Sequence, residues 1–159
     1  MNDLLAILER LLQRRVEFVV VGGQAAIVHG VTLVTRDVDI CMPFTPDNLT
    51  RLETALADLH PVHRLTPQAQ PFRLADIEPG ALKNLYLRTD VGVLDCLSEI
   101  IAIGGFAQVA NRSIEVELPI GRCRVLDLDA LIDTKSALDR VQDRLALVQL
   151  RAIHDRPKP

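Results

Sequence analysis

Asp37 and Asp39 stand one residue apart in the run Asp37-Val38-Asp39-Ile40. If that run is a strand, alternate side chains leave the same face, with their Cα atoms roughly 6.5–7 Å apart. Both carboxylates then share one face while Val38 and Ile40 point into a core. Two hard oxygen ligands so placed suit a divalent cation, Mg²⁺ or Mn²⁺, that completes its shell with water and substrate phosphates. Upstream, the apolar run Phe18 to Val21 ends in Gly22-Gly23, followed by Gln24 and a short helical pattern to His29-Gly30. Glycines let the backbone approach a ligand closely, and a following helix offers free N–H groups and a positive dipole end to an anion. A phosphate cradle beside a carboxylate pair is the equipment of phosphoryl or nucleotidyl transfer.

A third carboxylate comes from Val91-Gly92-Val93-Leu94-Asp95-Cys96-Leu97. Val91, Val93, Asp95 and Leu97 share one face of that strand, so Asp95 interrupts an apolar row. Such a carboxylate is paired, hydrogen-bonded or metal-bound, or it reaches water at a sheet end.

The elements that must position these residues alternate along the chain. Leu4, Leu5, Ile7, Leu8, Leu11 and Leu12 give a first amphipathic helix to about Arg15, with Asn2 as its cap. Strands follow at Phe18–Val21 and Asp37–Met42, separated by a helix over Gln24–His29 that Gly30 ends. Thr45 and Pro46 open a helix to about Leu59, with Leu49, Leu52, Leu56 and Leu59 as its buried stripe. From Pro61 to Lys83 the pattern dissolves among Pro61, Pro67, Pro71, Pro79 and Gly80. Around a short strand at Val62–Leu65, that segment reads equally as a substrate-facing flap or as a surface connection containing a helix. Hairpins are expected around Arg88-Thr89-Asp90 and Pro119-Ile120-Gly121, with a helical turn at Phe106–Ala110 between them. Asp127 caps a helix to Leu138, and helical period continues to Ile153. Val141, Leu145, Val148 and Ala152 are the expected buried stripe of that last helix, with Arg140, Arg144 and Arg151 on a neighbouring face. The fold class is α/β (α+β), a mixed sheet flanked by helices. Residues 1–126 form its core, and 127–159 a C-terminal helical segment packed on the same domain.

Composition narrows the function classes. The 159 residues are 48% hydrophobic and 25% charged, which is globular. Aromatic residues are only 3%, with no Trp, which argues against a base-stacking platform for single strands. A net charge of -3 excludes a strongly basic nucleic-acid glove, though not a local basic patch. Cys41, Cys96 and Cys123 are odd in number, lack metal spacing and sit in apolar runs, so buried thiols are expected. Met1-Asn2-Asp3-Leu4 lacks the basic flank of a signal peptide, and no apolar run is long enough to span a bilayer. A soluble, cytoplasmic protein is the expectation.

An apolar strand, Gly-Gly, and Asp-x-Asp on the next strand, with a later strand carboxylate, resembles the nucleotidyltransferase superfamily that includes DNA polymerase β-like enzymes. The order of parts is further similar to the bacterial AbiEii/MNT-type nucleotidyltransferases of toxin–antitoxin and phage-defence operons. His29-Gly30 with Thr35 before Asp37 matches their His-Gly…Thr-x-Asp run. Leu131-Ile132-Asp133-Thr134-Lys135-Ser136-Ala137, with Arg140 and Asp143 behind it, looks like their Lys-bearing helix pair. Leu33, Gln142 and Ala146 depart from it, standing where Arg, Lys and Asp are usual.

The resemblance implies transfer of a nucleoside monophosphate from a nucleoside triphosphate to a hydroxyl of RNA (tRNA-like) or of a partner protein, in a toxin–antitoxin context with a cognate toxin or antitoxin as partner. In it, Asp37, Asp39 and Asp95 are the catalytic metal carboxylates, with Asp95 on a second metal or taking the hydroxyl proton. Gly22, Gly23 and Gln24 hold the β/γ phosphates, and Lys135 and Arg140 are counter-charges for the triphosphate. Read without the resemblance, Lys135 is a solvated helix lysine, and His29 is structural. The basic residues missing at the departures fit an alternative, a non-catalytic nucleotidyltransferase-fold protein that binds a partner in the manner of an antitoxin. A third reading is a generic phosphate-binding α/β domain.

Overall fold

A computed structural model describes residues 3–78 and 80–157. The proposed Asn2 cap, Pro79 and the end of the tail, Lys158 and Pro159, lie outside the described residues. Helix α1, Asp3–Gln13, buries Leu4, Ile7, Leu8 and Leu11. Strand β1, Val19–Val21, is buried throughout, as expected of a strand covered on both faces. It runs directly into α2, Gly22–Val28, so the two glycines are the first turn of the helix and not a separate bend.

Strand β2, Asp37–Cys41, buries Val38 and Ile40 completely and leaves Asp37 and Asp39 half-buried, which is the expected alternation. Helix α3, Pro46–Leu56, starts at Thr45, whose Oγ1 accepts a hydrogen bond from Asn48 N at 3.3 Å. A 3₁₀ turn, Ala57–Leu59, carries its stripe on to Leu59. The irregular segment after it holds short pieces of regular structure. Strand β3, Val62–His63, pairs with a sheet edge, a 3₁₀ turn spans Leu74–Asp76, and Arg64 reaches inward.

Strands β4, Asn84–Thr89, and β5, Gly92–Leu97, form the first hairpin. A small second sheet, β6 (Glu99–Ile100) with β7 (Gly104–Gly105), leads to α4, Phe106–Asn111. The second hairpin is β8, Ser113–Leu118, with β9, Gly121–Leu126. The main sheet has seven strands in the order β3-β4-β5-β2-β1-β9-β8. It is mixed: β2 runs parallel to β5 and β1 parallel to β9, while the remaining pairs are antiparallel. Cys41, Cys96 and Cys123 are buried free thiols in its core.

Asp127 Oδ1 accepts from Ala130 N at 2.7 Å and opens α5, Leu128–Leu138. Helix α6, Val141–His154, follows and packs against it. Leu131 of α5 and Leu150 of α6 join the same hydrophobic cluster as the sheet.

The face of α6 turned inward is not the expected one. Asp143, Ala146 and Leu150 are buried, whereas Val141, Leu145, Val148 and Ala152 are exposed. Both sets repeat with helical period, so periodicity alone cannot choose between them. The choice is made by charge: Asp143 accepts from Lys135 of α5, an ion pair that holds its face toward α5, and it also pairs with Arg140 at the start of its own helix.

Candidate active site

The parallel register of β2 and β5 sets Asp39 directly beside Asp95, and Asp37 beside Val93. On the far side of β2, Val21 is the partner of Asp39, and on the far side of β5, Tyr86 is the partner of Asp95. One row across the sheet is therefore Tyr86, Asp95, Asp39, Val21, at the usual strand spacing of about 4.8 Å. Gly22 follows Val21 and so meets Asp39. Its φ is +65°, and a Cβ built there would lie 2.4 Å from Asp39 Oδ2. Only a residue without a side chain fits between β1 and that carboxylate. Gly23 is set against Thr35, at 3.3 Å from a built Cβ. Gln24 completes the first turn. Val21, at the cap position, has no side-chain acceptor, and no side chain caps the first-turn amides of α2.

Burial, then the charges of Asp95 and Asp37, push the Asp39 carboxyl up to about 6, against a smaller opposing pull from Lys135 and Arg64. A carboxylate raised this way sits among more negative charge than the nearby cations offset.

Arg64 is the residue that the sequence reading missed. Its Nε donates to Asp95 Oδ1 at 3.0 Å and its Nη2 to Asp95 Oδ2 at 2.6 Å, a bidentate pair. The guanidinium also lies over the Tyr86 ring, 5.4 Å from its centroid, and Arg64 N donates to Tyr86 O at 3.0 Å. Asp95 is thus paired, one of the options open to a carboxylate in an apolar row. No periodic pattern marks Arg64; it lies just past a two-residue strand in a proline-rich stretch.

Lys135 and Arg140 line one cavity of about 200 Å³ with Gly22, Asp39, Glu99 and Leu131. Neither is a free counter-charge. Lys135 Nζ donates to Asp143 Oδ1 at 2.9 Å, and the Arg140 guanidinium pairs with the same carboxylate. Lys135 is mostly buried, which corrects the picture of a solvated helix lysine: the completely buried Asp143 draws it in. His29 Nε2 lies 2.8 Å from Leu126 O and ties the end of α2 to the end of β9, in keeping with a structural histidine.

Asp37 and Asp39 leave one face of β2 together, and positive charge brought beside them would relieve the raised carboxyl of Asp39. Asp95 differs, because both its oxygens are held by Arg64. Among the described residues, no group of three or more His, Cys, Asp or Glu side chains is disposed to hold a metal ion.

No protein-family model matches the chain, and no curated protein sequence matches it. Solved structures do. The lincosamide antibiotic adenylyltransferase LnuA, with lincomycin bound, superposes with a TM-score of 0.66 at 17% identity, over 95% of this chain and 96% of that one. ANT(2'')-Ia, in complex with adenylyl-2''-tobramycin, gives a TM-score of 0.55 at 18% identity, over 93% and 88%. The fold is the one these nucleotidyltransferases share. No described helix is long and apolar enough to cross a membrane.

Proposed function

We propose that this chain is a metal-dependent nucleotidyltransferase, moving a nucleoside monophosphate from a nucleoside triphosphate to a hydroxyl group. The observation that carries this reading is the row Asp95, Asp39, Val21-Gly22, which sets carboxylates of two strands against the glycine-built start of α2. The fold of LnuA and ANT(2'')-Ia supports it. Asp37 and Asp39 would hold Mg²⁺ or Mn²⁺; when bound, the cation neutralises charge on the triphosphate and on the oxygens at the reacting phosphorus.

The chain's own residues supply the rest. The first-turn amides at Gly22, Gly23 and Gln24 face the phosphates. The acceptor oxygen forms its bond to the α-phosphorus as the bond to the bridging oxygen breaks, and pyrophosphate leaves with that electron pair. The proton of the acceptor hydroxyl passes to Asp95 once Arg64 lets go of its carboxylate. Lys135 and Arg140, held by Asp143, set the electrostatics of the cavity wall beside Asp39. In this reading the protein is cytoplasmic, the acceptor is an RNA hydroxyl or that of a partner protein, and the setting is a toxin–antitoxin pair. LnuA and ANT(2'')-Ia, bound to lincomycin and to adenylyl-2''-tobramycin, point to a small-molecule hydroxyl as the competing acceptor class.

Incubation with Mg²⁺ and each α-labelled nucleoside triphosphate, with RNA, co-purified protein, lincomycin or tobramycin as acceptor, tests the reading. Label transfer that is lost in the Asp37→Asn/Asp39→Asn variant supports it. A second reading, a non-catalytic partner-binding protein, is favoured by the Arg64–Asp95 pair, which occupies the third carboxylate. No transfer to any acceptor, together with a stable partner complex, would decide for it.

A further inference from the structure

The row that carries Asp39 and Asp95 runs on past them. Strand β3 pairs with β4 so that Val62 lies opposite Arg88, and Arg64, two residues on, donates its N to Tyr86 O. From the glycines outward the row is Val21-Gly22, Asp39, Asp95, Tyr86, Arg64. The next row on the same face is Asp37, Val93, Arg88, Val62. In-line displacement sets the attacking hydroxyl and the leaving pyrophosphate on opposite sides of the α-phosphorus. With the phosphates at the Gly22 end, the acceptor lies over Tyr86, Arg64 and Arg88.

That end of the face is basic. Its side chains on β3 and β4 and just past β3 are Val62, Arg64, Asn84, Tyr86 and Arg88, with no carboxylate among them. Arg88 is exposed, and its side chain has no hydrogen-bond or ion-pair partner among the described residues. Asp90, in the turn after β4, is taken by His60 at 2.6 Å. Arg64 is committed differently, since its fork is spent on Asp95. Once Asp95 accepts the hydroxyl proton, that guanidinium, only 26% exposed, loses its counter-charge. A phosphate on the acceptor would replace it, because the guanidinium fork fits phosphate as it fits carboxylate. A neutral or cationic acceptor would leave the charge uncompensated.

We propose that the acceptor hydroxyl ends a single-stranded polynucleotide, whose last phosphate draws Arg64 off Asp95 while Arg88 holds a neighbouring phosphate. The inference rests on the transfer reading above; its test is binding without nucleotide or divalent cation, so the two can fail separately. Fluorescence polarisation follows the full chain with three 5′-labelled strands of one mixed sequence: RNA, DNA, and DNA whose last linkage is an uncharged methylphosphonate. RNA or DNA binds, the tighter of the two identifying the sugar, and the methylphosphonate strand binds about tenfold more weakly than DNA. Asp95→Asn weakens the hold on Arg64 and tightens binding, and the same substitution in an Arg64→Ala background loses most of that gain. Arg88→Ala, at an exposed side chain without a partner, keeps the circular dichroism spectrum. It weakens binding and lowers the slope of log affinity against log salt by about 0.7. No binding of any strand, equal binding of the charged and methylphosphonate DNA, an Asp95→Asn gain that persists in full without Arg64, or an unchanged salt slope in Arg88→Ala overturns the proposal. Mg²⁺-dependent binding of a nucleoside triphosphate by a chain that binds no strand would leave the transfer reading standing with a different acceptor.

Discussion

Arg64 grips both carboxylate oxygens of Asp95, at 3.0 and 2.6 Å, from a segment with almost no regular structure. The pair turns the third carboxylate away from cation binding and makes Arg64 the group that any ligand of Asp95 must displace. Arg64→Ala leaves Asp95, only 9% exposed, without its cation. A loss of about 1–3 kcal/mol is expected in urea unfolding without divalent ions. Mn²⁺ affinity, read by electron paramagnetic resonance, is expected to rise. Unchanged Mn²⁺ affinity would remove Asp95 from the set of cation ligands.

The charge on Asp39 should be measurable as stability. Its folded carboxyl titrates at about 6, above the ordinary 3.8, so the folded state holds the proton more tightly. Stability from this group therefore falls as pH rises from about 4 to about 6, and the deficit stays constant above that. Asp39→Asn is expected to be more stable than the unmutated chain by about 1–3 kcal/mol at pH 7.5, and equal to it below about pH 4. Urea unfolding across pH 3.5–8 in the absence of divalent ions reads the difference.

Gly22 is restricted twice, by its φ of +65° and by the 2.4 Å that would separate a Cβ from Asp39 Oδ2. Gly22→Ala should cost about 2–4 kcal/mol. Gly23→Ala, facing the Thr35 side chain at 3.3 Å, should cost less. Thermal melts of the two variants give the order; the reverse order would place the tight approach elsewhere.

Much of this was legible in the chain. Alternation in Asp37-Val38-Asp39-Ile40 fixed which side chains share a face, because a strand's period of two leaves no freedom. Thr45-Pro46 and Asp127 announced their helices by side-chain chemistry that acts within four residues. Arg64 was not legible, since its role depends on where an irregular segment lies against β5, and no local pattern encodes that. The orientation of α6 was hidden differently: Leu145 and Val148 look like core residues until Asp143 is known to bind Lys135. A buried ion pair, and not the hydrophobic pattern, decides the face.

That ion pair makes its own prediction. Burial pushes the Asp143 carboxyl up, but the hydrogen bonds and charges of Arg140 and Lys135 outweigh it and hold it at about 2. Its stabilising contribution is complete above about pH 4 and is lost as pH falls toward 2. Asp143→Ala should detach α6 at a cost of about 2–4 kcal/mol. Hydrogen exchange of the α6 amides should then exceed that of α5, and uniform exchange across both helices would show that Asp143 does not select the face.

The most direct test of the central claim needs no acceptor: calorimetric titration of the chain with α,β-methylene ATP and its guanosine, cytidine and uridine counterparts, with and without Mg²⁺. At least one nucleotide should bind only with Mg²⁺, and Asp37→Asn/Asp39→Asn should abolish that binding while the fold is kept. Binding that ignores both the cation and the two substitutions, or no binding of any of the four, would contradict the claim.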